Sequence, residues 1–100
     1  MNKDKEYYEN WLNYIETSQL EAVGDLLNVE MAIYEARKII RMSRELNEYD
    51  NLAFEKVKVL LTGLKSKQKI LAESIDNHEL DITHCRFMIE LLSRPTNEGG

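Results

Sequence analysis

The apolar positions of residues 52–75 fall into two stripes. Ala53, Phe54, Val57, Leu60, Leu61, Leu64, Leu71 and Ile75 make a wide one, and Leu52, Val59 and Ile70 make a narrow one. At about 100° per residue the wide stripe spans about a third of a helix circumference and the narrow one lies nearly opposite. One stripe closes a core against one neighbour, whereas two stripes require two neighbours. The pattern therefore predicts a helix with a second face available for packing.

The same duplication occurs upstream. Ala22, Leu26, Val29, Ile33, Ala36 and Ile40 advance by four and three, the spacing of a coiled-coil-like seam. A second group, Leu20, Val23, Leu27, Met31 and Tyr34, covers much of the other side and predicts a segment lying between other elements. Tyr7, Tyr8, Trp11, Leu12 and Ile15 recur at helical spacing before it. They give a first helix over about residues 4–17, capped by Asp4 or Asn2, with the aromatic group in the core and the Tyr7 edge its most exposed part.

Punctuation suggests where these segments end. Thr17 and Ser18, with Glu21 in capping-box position, suggest a break and a new helix start. The polar run 47–51 reads as a turn, and Asp76 to Glu79 as another connection, again with a capping arrangement. Pro95 stops the last helix, which carries Leu80, Ile82, Cys85, Phe87, Met88, Ile89, Leu91 and Leu92. No alternating run supports a strand. The expected architecture is all-α: a small bundle or extended antiparallel hairpin of about four helices, the second and third long. It forms one domain over residues 1–94, followed by a flexible tail over 95–100.

Composition changes little in that picture. With 43% hydrophobic and 31% charged residues, the 100-residue chain has the balance of a soluble globular domain, with no run long enough to span a bilayer. A charged N-terminus and a single cysteine, Cys85, point to the cytoplasm. Charge is distributed unevenly. Residues 1–35 hold eight acids against two bases, residues 36–69 nine bases against four acids, and residues 70–100 six acids against two bases. That order suits antiparallel helices whose flanks neutralise one another.

Candidate chemistry is sparse. Asp76, His78, Glu79, Asp81, His84 and Cys85 are the one cluster of metal-capable side chains, but they match neither Cys-x-x-Cys nor His-Glu-x-x-His spacing. Cys85 lies on an apolar line with Met88 and Leu92, as a buried structural thiol would. No phosphate loop, nucleophile elbow or dinucleotide fingerprint occurs. The expectation is a non-enzyme with no cofactor, metal or small-molecule substrate.

Residues 19–38 partly resemble a helix-turn-helix, with Val23-Gly24, Leu27, Asn28 and Val29 on its small, apolar and turn positions. The would-be recognition helix carries Glu30 and Glu35 with large apolar residues where donors are required, so one long helix is the preferred reading and nucleic acid an unlikely partner. The alternative is a DNA-binding regulator using residues 19–44, with Arg37, Lys38, Arg41 and Arg44 as contacts. The lysines of residues 56–69 flank an apolar stripe and snorkel, and the acidic balance disfavours a membrane surface. Gly63 beside the narrow stripe marks either close helix packing or a break.

The expected function is a protein–protein interaction module, a small adaptor, inhibitor or chaperone-like protein acting as a homodimer. Its interface residues are Leu52, Val59, Gly63, Ile70, Leu20, Leu27, Met31 and Tyr7. In general character only, such a chain resembles small host-interaction proteins of phages and other mobile elements, and small secretion chaperones.

Overall fold

The computed structural model describes residues 4–45 and 51–94, and these form two long antiparallel helices. Helix α1 runs Lys5–Glu45 and α2 runs Asn51–Ser93. Asp4 starts α1: its Oδ1 accepts a hydrogen bond from the Tyr7 backbone N–H at 3.0 Å, satisfying a donor that the first turn leaves orphaned. Arg44 sits in the last turn, where positive charge complements the helix dipole. The turn expected over 47–51 lies outside the described residues apart from Asn51, which opens α2. Pro95 and the tail also lie outside.

The class is all-α, but the count is two helices rather than four. Both internal breaks are absent. At Thr17 the hydroxyl donates back to the Asn13 carbonyl at 2.9 Å, the bond of a threonine inside a helix and not of one capping a new helix, while Ile15, Gln19 and Ala22 keep the buried line running past it. Thr62 and Ser93 bond the carbonyls four residues back in the same way. At residues 76–79 the helix continues because the buried line continues: Leu71, Ile75, His78, Ile82 and Cys85 keep the four-three alternation across the expected connection.

That alternation runs the length of both helices. On α1, Tyr8, Leu12, Ile15, Gln19, Ala22, Leu26, Val29, Ile33, Ala36, Ile40 and Ser43 are all buried or half-buried. On α2 the same holds for Phe54, Val57, Leu61, Leu64, Gln68, Leu71, Ile75, His78, Ile82, Cys85 and Ile89. A mean spacing of 3.5 residues keeps each line facing its neighbour as an antiparallel coiled coil. At the open end Tyr8, Ile15, Ile82 and Cys85 form a buried cluster flanked by Trp11, Leu12, Met88 and Ile89. Register is marked by Gln19 Nε2 donating to Glu79 Oε1 at 2.6 Å, Gln68 Nε2 to Glu30 Oε2 at 3.5 Å, and Arg86 Nη2 to Glu16 Oε2 at 3.3 Å.

Two helices make one packed layer, and the shape shows it. The molecule extends 81 × 24 × 14 Å with a radius of gyration of 22.4 Å. A compact domain of this length would have a radius of about 13 Å. Among the described residues no third element covers the outer faces.

The hairpin also corrects the expected charge balance. Folding one long helix back on the other brings the two acidic segments to the same end. Residues 4–25 and 73–94, at the open end, hold eleven acids against three bases; residues 26–45 and 51–72, at the closed end, hold nine bases against four acids. Only one ion pair, Arg86–Glu16, crosses between the helices among the described residues, and both side chains are well exposed. Lys58–Glu55 and Arg94–Glu90 are local pairs on α2. Such exposed pairs contribute about 0–1 kcal/mol each. The charge is separated along the rod rather than neutralised across it.

Candidate functional site

The outer face of α1 is the most continuous candidate surface. Leu20, Val23, Leu27, Met31 and Tyr34 recur every three or four residues, roughly 130° around the helix from the seam. Their exposure runs from 37% at Val23 to 74% at Leu20. The segment expected to lie between elements has a neighbour on one side only. Over about 21 Å of helix, at 1.5 Å per residue, the stripe presents side chains of the size that close a core. Leu27, Met31 and Tyr34 line a shallow depression rimmed by Glu30 and Glu35.

On α2 the two stripes behave differently. Phe54, Val57, Leu61, Leu64, Leu71 and Ile75 of the wide stripe face α1, although Leu60 is exposed. Val59 and Ile70 of the narrow stripe are 71% and 65% exposed. Leu52 lies in α2, and its side chain is outside the described residues. Gly63 neither breaks the helix nor packs within the chain, since a Cβ built on it meets nothing within 4 Å. Gly63→Ala is accordingly expected to stabilise the hairpin by about 0.5–1 kcal/mol, read as a higher urea midpoint with the helical signal retained. A lower midpoint would show that this position is covered in solution.

Sequence reading missed a further line. Leu80, Phe87 and Leu91 are exposed on the far side of α2 from Ile82, Cys85 and Ile89. The signal was their four-three-four spacing with His84, concealed when the helix was restarted at residue 80.

The N-terminal aromatic group divides. Tyr8 is buried and Trp11 half-buried, whereas Tyr14 is more exposed than Tyr7. Tyr7 stands edge-on to Tyr8 with centroids 5.1 Å apart. The His84 ring lies 5.9 Å from Trp11 in a T-shaped arrangement and 6.0 Å from Tyr8, so this histidine packs with aromatic groups at the open end.

The metal-capable cluster is dispersed by the helix that carries it. Cys85 is fully buried in the seam, with its thiol pKa raised first by burial and then by Asp81. His78 also points into the seam, Glu79 accepts from Gln19, and Asp76 is exposed. Among the described residues no three histidine, cysteine, aspartate or glutamate side chains come together as a metal site.

The basic residues gather at the closed end. Arg37, Arg41 and Arg44 line a shallow groove with Ile40, Lys58 and Leu61, and the Arg44 guanidinium and Lys58 ammonium lie 5.9 and 5.3 Å from the Phe54 ring centroid. Lys38 instead continues the outer line of α1. Residues 19–38 form uninterrupted helix, so the turn of a helix-turn-helix is absent. Among the described residues no helix is long and apolar enough to cross a membrane.

No family model, no curated protein and no solved structure matches the chain.

Proposed function

We propose that this protein is a non-enzymatic protein-interaction module acting through its exposed helix faces as a homodimer. The observation that carries the reading is the Leu20–Tyr34 line, five large side chains on a face that the hairpin leaves uncovered. Isolated exposed apolar residues are ordinary, but a contiguous row at helical spacing is the form in which one helix presents anchors to another. Burying a handful of such side chains at about 1.5–3 kcal/mol each can exceed the cost of association. Cys85 has no exposed surface and the exposed His84 lies beside the Tyr8 and Trp11 rings, which supports a non-catalytic reading.

The second reading is nucleic-acid binding by the exposed Arg37, Lys38, Arg41 and Arg44 at the basic end. The acidic open end and the net charge of −5 oppose it, because a phosphate-tracking face is supported by positive charge over the domain.

A photo-crosslinking amino acid at position 31, introduced in cells that naturally make the protein, separates the two. The expected result is a discrete protein adduct that is absent when the probe stands at exposed, polar Asp25. No adduct, or one removed by nuclease, would overturn the interaction reading.

A further inference from the structure

The outer line of α1 has a symmetry that a mere apolar patch would not have. Its steps, Leu20 to Val23 to Leu27 to Met31 to Tyr34, are three, four, four, three, the same read from either end. Continued outward at the same pitch, the line meets Glu16 on one side and Lys38 on the other, then Asn13 and Arg41, all exposed or half-buried. Each pair is equidistant from Leu27. The apolar centre is palindromic in spacing, and its two flanks are opposite in charge.

We propose that the occupant of this face is a second copy of the chain, with the two α1 helices antiparallel about a two-fold axis at Leu27. The proposal rests on the homodimer reading above and fixes the face, orientation and register of that dimer. A two-fold contact requires that a residue a given distance before the axis meet one the same distance after it. Here that rule pairs Leu20 with Tyr34 of the second copy, Val23 with Met31, and Leu27 with itself. It also sets Glu16 beside Lys38, and Asn13 beside Arg41, twice each in the dimer. Glu16 already accepts from Arg86 at an exposed position, so a second cation extends an existing contact instead of displacing one.

The charge layout of the whole rod points the same way. Each hairpin has an acidic open end and a basic closed end. A parallel dimer would put like ends together, whereas the antiparallel one lays the acidic first half of each α1, with five acids and one base, along the second half of the other, whose four bases, all in residues 37–44, stand against three acids. The neutralisation that folding does not achieve within one chain is achieved between two. The axis falls near the middle of the Lys5–Glu45 helix, so almost its whole length overlaps.

Sedimentation of the full chain across a dilution series tests this with four variants: Leu27→Glu, Glu16→Lys, Lys38→Glu, and the double exchange of Glu16→Lys with Lys38→Glu. The wild type is expected at twice the 11.7 kDa chain mass. Leu27→Glu, which sets two carboxylates at the axis, should be a monomer with unchanged helical signal, because the position faces away from the seam. Each single reversal should weaken dimerisation roughly tenfold or more, and the double exchange should restore it. Restoration is specific to this register, since only there do positions 16 and 38 meet. A wild type that stays monomeric throughout, or a dimer indifferent to the single reversals or not rescued by the exchange, would overturn the proposal. A monomer would leave the crosslinking adduct at position 31 to decide the broader reading separately, by whether it contains a different protein.

Discussion

Replacing Ile15 by alanine is expected to destabilise the hairpin by about 2–5 kcal/mol, the usual cost of deleting most of a buried aliphatic side chain and leaving a cavity. Ile15 is 3% exposed and belongs to the cluster with Tyr8, Ile82 and Cys85. The upper part of that range applies where neighbours cannot collapse into the space. In this molecule each seam level is closed by only two helices, and the half-buried Trp11 and Leu12 that could move inward are themselves the cover. Since domains of this size have a total stability of about 5–15 kcal/mol, the loss is a large fraction of the whole. With a urea dependence of about 1–3 kcal/mol per molar, the midpoint should fall by at least about 0.7 M. Tyr14→Ala, one residue earlier and well exposed, should stay within about 0.5 kcal/mol. Both variants should be compared with wild type at one chain concentration, because dimerisation would couple to the transition. Equal losses at the two positions would mean that the N-terminal segment packs on a different face.

The contrast between these neighbours also shows what was legible in the sequence. The seam of residues 22–40 was readable because no polar residue interrupts it, and the duplication of apolar stripes was readable because both repeat at helical pitch. The count of helices was not, because capping residues were given more weight than phase. Thr17, Ser18, Asp76 and Glu79 are all compatible with a helix interior when the flanking buried positions keep their alternation, and here Ile15–Gln19–Ala22 and Ile75–His78–Ile82 do so. A polar residue at a seam position looks like the end of an apolar stripe when hydrophobicity alone is counted. Gln19 and His78 had that effect. The candidate surface was partly legible for the complementary reason: Leu20, Leu27, Met31, Val59 and Ile70 were out of phase with the seam, and they are exposed. Which stripe would be covered was set by the chain folding back once, a tertiary fact with no local signature.

Replacing His78 by leucine should have the opposite effect to Ile15→Ala, raising stability by about 1–3 kcal/mol. His78 occupies a seam position between Ile75 and Ile82, and its Nδ1 is buried with no hydrogen-bond partner in the protein, the one such side-chain atom among the described residues. An unsatisfied buried polar atom costs about 1–3 kcal/mol, and leucine removes that cost while filling similar space. The midpoint in urea should rise accordingly, and an unchanged or lower value would show that Nδ1 is satisfied in solution. Polar residues at seam positions are retained in coiled coils where they exclude wrong registers. Gln19 and Gln68 are placed to do this, since they donate to Glu79 and Glu30 of the opposite helix. Combining His78→Leu with Gln19→Leu and Gln68→Leu should therefore raise the midpoint further while producing a mixture of assembly masses in sedimentation. Additional stability with a single mass would locate the register determinants elsewhere, in the Ala22 and Ala36 positions where only a large side chain opposite can fill the seam.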